Sequence, residues 1–209
     1  MKKIFAYSTS VLLILFSVGS FSSTSKKPSN ILILGDSLSA GYGINLSDGW
    51  VSLLAKKMDK ELPQKYHIVN ASISGDTTSM GVGRISKLLE THKPSVVIIA
   101  LGGNDGLQGH PLKVMRKNIS TMVELSQAAN AKVLLSGIQI PPNYGKRYTN
   151  EFFSSYRIIA EKYHVSLVPF MLDKIAIYPE LMQQDGIHPT AKAQPQLLEN
   201  IWPHLEKLL

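Results

Sequence analysis

Five short apolar runs punctuate the chain: ILILG (31–35), YHIVNAS (66–72), SVVIIAL (95–101), AKVLLSG (131–137) and VSLVPF (165–170). They are continuous rather than alternating, the pattern of strands buried on both faces. Between them, apolar residues recur at helical spacing. Trp50, Leu54, Met58 and Leu62 share one face, as do Leu112, Met115, Ile119 and Met122, and then Phe152, Tyr156, Ile159 and Tyr163. A last amphipathic segment carries Leu197, Leu198, Ile201, Trp202 and Leu205. Pro195 suits its first turn, and Pro203 is expected to bend or end it.

Strand and helix thus follow one another five times, which predicts an α/β domain with a parallel sheet and helices on both faces. Right-handed crossovers make the layout doubly wound. Such a sheet binds ligands beyond the C-terminal ends of its strands. Polar and glycine residues gather at those ends: Gly35-Asp36-Ser37, then Asn70 to Asp76, Gly102-Gly103-Asn104-Asp105, Ile138 to Arg147, and, after a longer excursion, Asp185 to Thr190.

Ser37 alone could be a helix cap, since serine is common there. A hydroxyl becomes a nucleophile only when a base takes its proton, and histidine is the natural base near neutral pH. Of six histidines, His67, His92, His164 and His204 fall on or beside predicted strands and helices, where structural or solvated roles suffice. His110 lies in the loop after the third strand and could line a site. His188 differs, because Asp185 precedes it by three residues with Gly186 between. In a turn that spacing lets the carboxylate reach the imidazole Nδ1–H and leaves Nε2 to face a serine. The plainer reading is turn chemistry alone. Acyl transfer also needs oxyanion donors. The Ser37 amide, the Gly75 amide and the Asn104 side chain can supply them. Asp36 is expected to steady the bend by hydrogen bonding to nearby amides.

The amino-terminal segment reads separately. Lys2 and Lys3 precede an apolar run from Ile4 to Val18, and small residues follow. This is the pattern of an export signal ending between Ser20 and Ser25, and the run is shorter than the roughly 20 residues a spanning helix needs. The expectation is a signal peptide over residues 1–25, one domain over 26–209, and a periplasmic or secreted location. Two of the +7 formal charges belong to Lys2 and Lys3, leaving +5 on the mature chain. Its basic residues are scattered, which allows weak attraction to an anionic membrane surface but argues against nucleic-acid binding. The chain has no cysteine, so a lipid-modified amino terminus is not expected.

Four blocks then stand in order: GDSLS with Ser37, NASISGDT with Gly75, GGND with Asn104, and DGIHP with Asp185 and His188. Together they resemble the SGNH hydrolases, also called GDSL esterases/lipases, over about residues 30 to 205. The likeness is strongest to the bacterial periplasmic acyl hydrolases with thioesterase, lysophospholipase and arylesterase activity. The resemblance implies a three-layer α/β/α flavodoxin-like fold with a five-stranded parallel sheet, and ester hydrolysis with no metal and no cofactor. It implies Ser37 as nucleophile, His188 as base, Asp185 as its orienter, and Ser37, Gly75 and Asn104 as the oxyanion hole. It further implies a mobile substrate-binding loop over Gly106 to Pro111, with Gly106 and Leu107 on one wall and Ile140 and Pro141 on the other.

The expected activity is hydrolysis of carboxylic esters and thioesters of acyl chains by a monomer. An exported enzyme does not ordinarily meet cytosolic acyl-CoA, so lysophospholipids and other exposed acyl or aryl esters are the expected substrates. The alternatives are a deacetylase of polysaccharide or cell-wall sugars, and a binding module without catalysis, since fold does not fix function.

Overall fold

The computed structural model describes residues 28–209, so the expected signal peptide over 1–25 lies outside the described residues. Five strands form one parallel sheet: β1 (Ser29–Gly35), β2 (Tyr66–Asn70), β3 (Val96–Ala100), β4 (Lys132–Ser136) and β5 (Ser166–Val168). Their order is β2-β1-β3-β4-β5, and every neighbouring pair is parallel. The main crossover helices are α2 (Trp50–Glu61), α3 (Thr78–His92), α5 (Leu112–Ala128) and α6 (Lys146–Tyr163), and α7 (Gln194–Leu205) follows the last strand. Two short helices, α1 (Ser37–Ala40) and α4 (Gly103–Leu107), start directly beyond β1 and β3. The architecture is the α/β fold that the strand-helix alternation predicts.

Helices α2 and α7 pack together on one face of the sheet, while α5 packs between α3 and α6 on the other. Ile31 to Leu34 and Val96 to Ala100 are buried at the centre, so strands β1 and β3 carry the continuous apolar runs that two covered faces require. Strand β2 departs from that expectation. It lies at the sheet's edge, His67 and Asn70 are exposed, and Tyr66, Ile68 and Val69 are half-buried. An edge strand has one sheet neighbour and less cover, so polar residues are tolerated.

The helix faces named from the sequence meet the core. Trp50, Leu54, Met58, Leu112, Met115, Ile119, Met122, Phe152, Tyr156 and Ile159 are all buried. On α7, Leu197, Ile201 and Leu205 are fully buried, a gain of about 1.5–3 kcal/mol for each side chain. Pro195 lies in its first turn. Pro203 sits inside the helix, which ends two residues later and tightens into a 3₁₀ turn at Glu206–Leu208. The amino end of α2 has no cap of its own. The Gln194 side chain caps it from α7, its Oε1 accepting the Trp50 N–H at 3.0 Å.

Helix α3 is the element whose face the hydrophobic pattern hides, because Gly81 and Gly83 interrupt it. Packing explains Gly81: an added Cβ would fall 2.5 Å from Leu101 Cδ1 and 2.8 Å from Met122 Sδ. The chain travels from β1 to β2 in one direction and then through β3, β4 and β5 in the other. The carboxyl ends of β1 and β3 therefore flank the switch point where a ligand crevice opens.

Candidate active site

Gly35 closes β1, and Asp36 begins a helix of only four residues. The Asp36 carboxylate caps that helix by accepting the Leu38 N–H at 3.1 Å, as expected of it. Ser37 is thereby fixed as the first helical residue, at the crevice. Its Oγ lies 2.8 Å from Nε2 of His188, across 151 residues of sequence. On the far side of the ring, Nδ1 lies 2.6 Å from Oδ2 of Asp185.

The Asp185 carboxylate does two jobs with its two oxygens. Oδ1 accepts the N–H groups of Ile187 at 2.9 Å and His188 at 3.0 Å, which folds the turn, while Oδ2 orients the ring. Gly186 completes that turn at φ +66°, a conformation that favours glycine. Partial desolvation works to raise the Asp185 ionisation. The amide and ring hydrogen bonds from His188, with the Ile187 amide, outweigh it and hold the carboxyl at about 2. An ionised Asp185 keeps the imidazole proton on Nδ1, so Nε2 is left to accept from the Ser37 hydroxyl.

Three N–H donors are candidates for holding an oxyanion. The Ser37 N–H opens a helix and the Gly75 N–H sits in a turn at φ +86°, and neither enters a hydrogen bond among the described residues. Asn104 donates one amide proton to the Asp76 carbonyl at 2.9 Å and keeps a second for the crevice. That bond joins the loop after β2 to the loop after β3. Asp76 is itself buried and paired with Arg84, whose second arm donates to the Ala71 carbonyl at 2.9 Å. Behind them, Asp105 accepts both the amide and the hydroxyl of Thr78, at 2.8 and 2.6 Å, and so caps α3 from across the crevice.

The catalytic candidates open into a cavity of about 480 Å³. Ser37, Asn104 and His188 line its polar end, and Leu107, Ile138, Ile140 and Pro141 line its apolar wall. Gly106 is an exception among the expected substrate contacts. It is buried beneath that wall and does not line the cavity, because Phe152 and Ile140 press on its bare Cα. The loop from Gly106 to Pro111 is tied to the segment after Pro141 by two tyrosine hydroxyls: Tyr144 donates to the Leu107 carbonyl at 2.9 Å and Tyr148 to the His110 carbonyl at 3.0 Å. His110 does not line the cavity, and its Nδ1 lies 3.9 Å from Asp105. A further wall comes from Phe170, Leu172, Ala176, Ile177, Met182 and Ile187. Most of these lie in the long excursion between the fifth apolar run and Asp185. The only available signal was the density of apolar residues in MLDKIAIYPELM.

Residues 33–194 match the model of the GDSL-like lipase/acylhydrolase family. The chain is 48% identical to esterase TesA of Pseudomonas aeruginosa over 86% of its length and 89% of the relative's. It is 43% identical to the arylesterase of Vibrio mimicus, over 95% of its length and 97% of the relative's. It is 41% identical to thioesterase 1/protease 1/lysophospholipase L1 of Escherichia coli K12, over 86% of its length and 84% of the relative's. A solved structure of TesA superposes with a TM-score of 0.84 at 48% identity, over 87% of this chain and all of that one.

Proposed function

The chain belongs to the GDSL-like lipase/acylhydrolase family, and from that premise we propose that it is a serine esterase that cleaves acyl esters through an acyl-enzyme on Ser37. One observation carries this reading: a continuous Ser37–His188–Asp185 hydrogen-bonded chain stands at the mouth of an apolar cavity.

Each step follows from that geometry. Ser37 Oγ attacks the ester carbonyl carbon while its proton passes to His188 Nε2. The Ser37 and Gly75 amides and the Asn104 side chain receive the oxyanion, with no reorganisation at the moment of reaction. His188 then returns the proton to the departing alkoxide or thiolate, which leaves as the alcohol or thiol. Water attacks the acyl-enzyme in the same way: His188 takes its proton, the carboxylic acid departs, and Ser37 recovers its hydrogen.

The apolar lining suits an acyl chain, so lysophospholipids, aryl esters and acyl thioesters are the proposed substrates. Names of the relatives point the same way. We further propose export through the segment 1–25, action as a monomer, and brief contact with membrane surfaces during turnover. Comparing the size of the periplasmic protein with the full-length translation product tests the first, and gel filtration tests the second.

The decisive experiment uses p-nitrophenyl esters and a fluorophosphonate probe. Wild type should be labelled at Ser37 and turn over the esters. Ser37→Ala should lose labelling and nearly all turnover. Asn104→Ala should label slowly and lose roughly 10²–10³ in kcat. Wild-type turnover by Ser37→Ala would overturn the assignment.

A further inference from the structure

We propose that Gln183 is a positioning residue for this reaction, clamping the loop that carries the base onto the turn that follows the nucleophile. The inference rests on the roles proposed above for Ser37 and His188.

His188 sits on a hairpin whose own bonds set its shape but not its place. Met182 pairs antiparallel with Pro189, and the Thr190 N–H donates to the Leu181 carbonyl at 2.8 Å. The Gln183 N–H donates to the His188 carbonyl at 2.7 Å, and the Gly186 N–H to the Gln183 carbonyl at 2.9 Å. Asp185, Gly186 and Ile187 are exposed, so core packing does little to anchor the hairpin's tip. Yet the tip must hold a 2.8 Å contact with Ser37.

The Gln183 carboxamide supplies the missing link. Its Nε2 donates to the Tyr42 carbonyl at 2.9 Å and to the Pro189 carbonyl at 3.1 Å. Tyr42 belongs to the nucleophile's own turn, since its N–H donates to the Ser37 carbonyl at 3.2 Å. A hydrogen-bonded path therefore runs from Ser37 through Tyr42 and Gln183 to the residues on both sides of the base. The Tyr42 ring lies against the His188 ring, with centroids 4.5 Å apart and planes tilted by 39°, so the same tie also seats an aromatic wall beside the imidazole. Gly43 makes room: any side chain there would collide with the Gln183 carboxamide. The carboxamide suits the task because one NH₂ reaches two carbonyls, whereas an ionised carboxylate of the same shape only accepts.

The test compares wild type with Gln183→Ala, Gln183→Glu and Gly43→Ala. The measurements are kcat and KM on p-nitrophenyl butyrate, the rate of fluorophosphonate labelling, and the urea midpoint. Displacing a catalytic group by about an ångström costs up to about a hundredfold. The clamp predicts that Gln183→Ala and Gln183→Glu each lose at least about tenfold in kcat and labelling rate, with KM nearly unchanged. The downfield His188 Nδ1–H proton resonance should persist in both variants, because the Asp185 turn is local. Gly43→Ala should show the same loss, and little more when combined with Gln183→Ala. If Gln183→Ala fails to fold, the isosteric Gln183→Glu carries the test. Wild-type labelling and turnover in Gln183→Glu would overturn the clamp, since bulk rather than donation would then suffice. Equal loss of kcat and of the Nδ1–H resonance would also overturn it, in favour of a general structural role. Failure of wild type itself to label at Ser37 would instead overturn the serine-esterase reading and the clamp with it.

Discussion

The carboxyl of Asp36 is buried beside Ser37, and burial lifts its ionisation from 3.8 to about 6, against the Leu38 amide and His188, which favour the charge. A folded-state value above the unfolded one means that the native protein binds the proton more tightly. The stabilisation is complete below about pH 3.8 and is lost as pH rises through about 6. A shift of that size corresponds to about 3 kcal/mol. Asp36→Asn keeps a side-chain oxygen for the Leu38 amide but cannot ionise. Urea unfolding between pH 4 and 7 should therefore show a flatter stability profile for the variant than for wild type. Asp185 behaves oppositely, staying charged down to about pH 2. Gly106 offers a different test. An added Cβ would fall 2.6 Å from a Phe152 ring carbon and 2.8 Å from Ile140 Cγ2. Gly106→Ala should cost about 1–3 kcal/mol in urea unfolding. Because Ile140 lines the cavity, it should also change the ratio of butyrate to octanoate turnover.

Between elements, the site depends on ties that join one strand end to the next. Arg84, on α3, is the partner of buried Asp76, whose carbonyl holds Asn104. Arg84→Ala leaves that carboxylate buried without its cation, at a cost of about 3 kcal/mol. Urea unfolding should show the loss, and kcat should fall as the tie between Asp76 and Asn104 loosens. Gly137, beyond β4, donates to the Val168 carbonyl at 2.8 Å and accepts from the Met171 N–H at 3.0 Å. A Cβ there would run into the Pro169 carbonyl, which is backbone and cannot swing aside. These ties also mark where sequence reading succeeds and where it stops. Continuous apolar runs revealed β1, β3 and β4 because both of their faces are covered. The exposure of β2 was not legible, since edge position depends on strand order rather than on local pattern. The face of α3 was hidden because its packing against α5 uses bare glycine in place of an apolar side chain.

At the scale of the whole molecule, four blocks far apart in sequence converge on one edge of the sheet. Their residue types were legible as candidate chemistry, and the structure brings Ser37, Asp185 and His188 into one hydrogen-bonded chain there. The apolar wall from Phe170 to Ile187 and the Gln183 clamp were not legible, because contacts across 141 residues leave no periodic trace. The cavity's lining predicts that kcat/KM rises along the series of acetyl, butyryl and octanoyl esters, as each buried methylene adds about 0.8 kcal/mol. A strict preference for acetyl esters would count against an acyl-chain pocket. The long separation of Ser37 from His188 also has a meaning in time. A chain under synthesis makes Ser37 first and His188, the base proposed for it, 151 residues later. Until that last segment emerges, Ser37 lacks the imidazole that its hydroxyl meets in the folded protein.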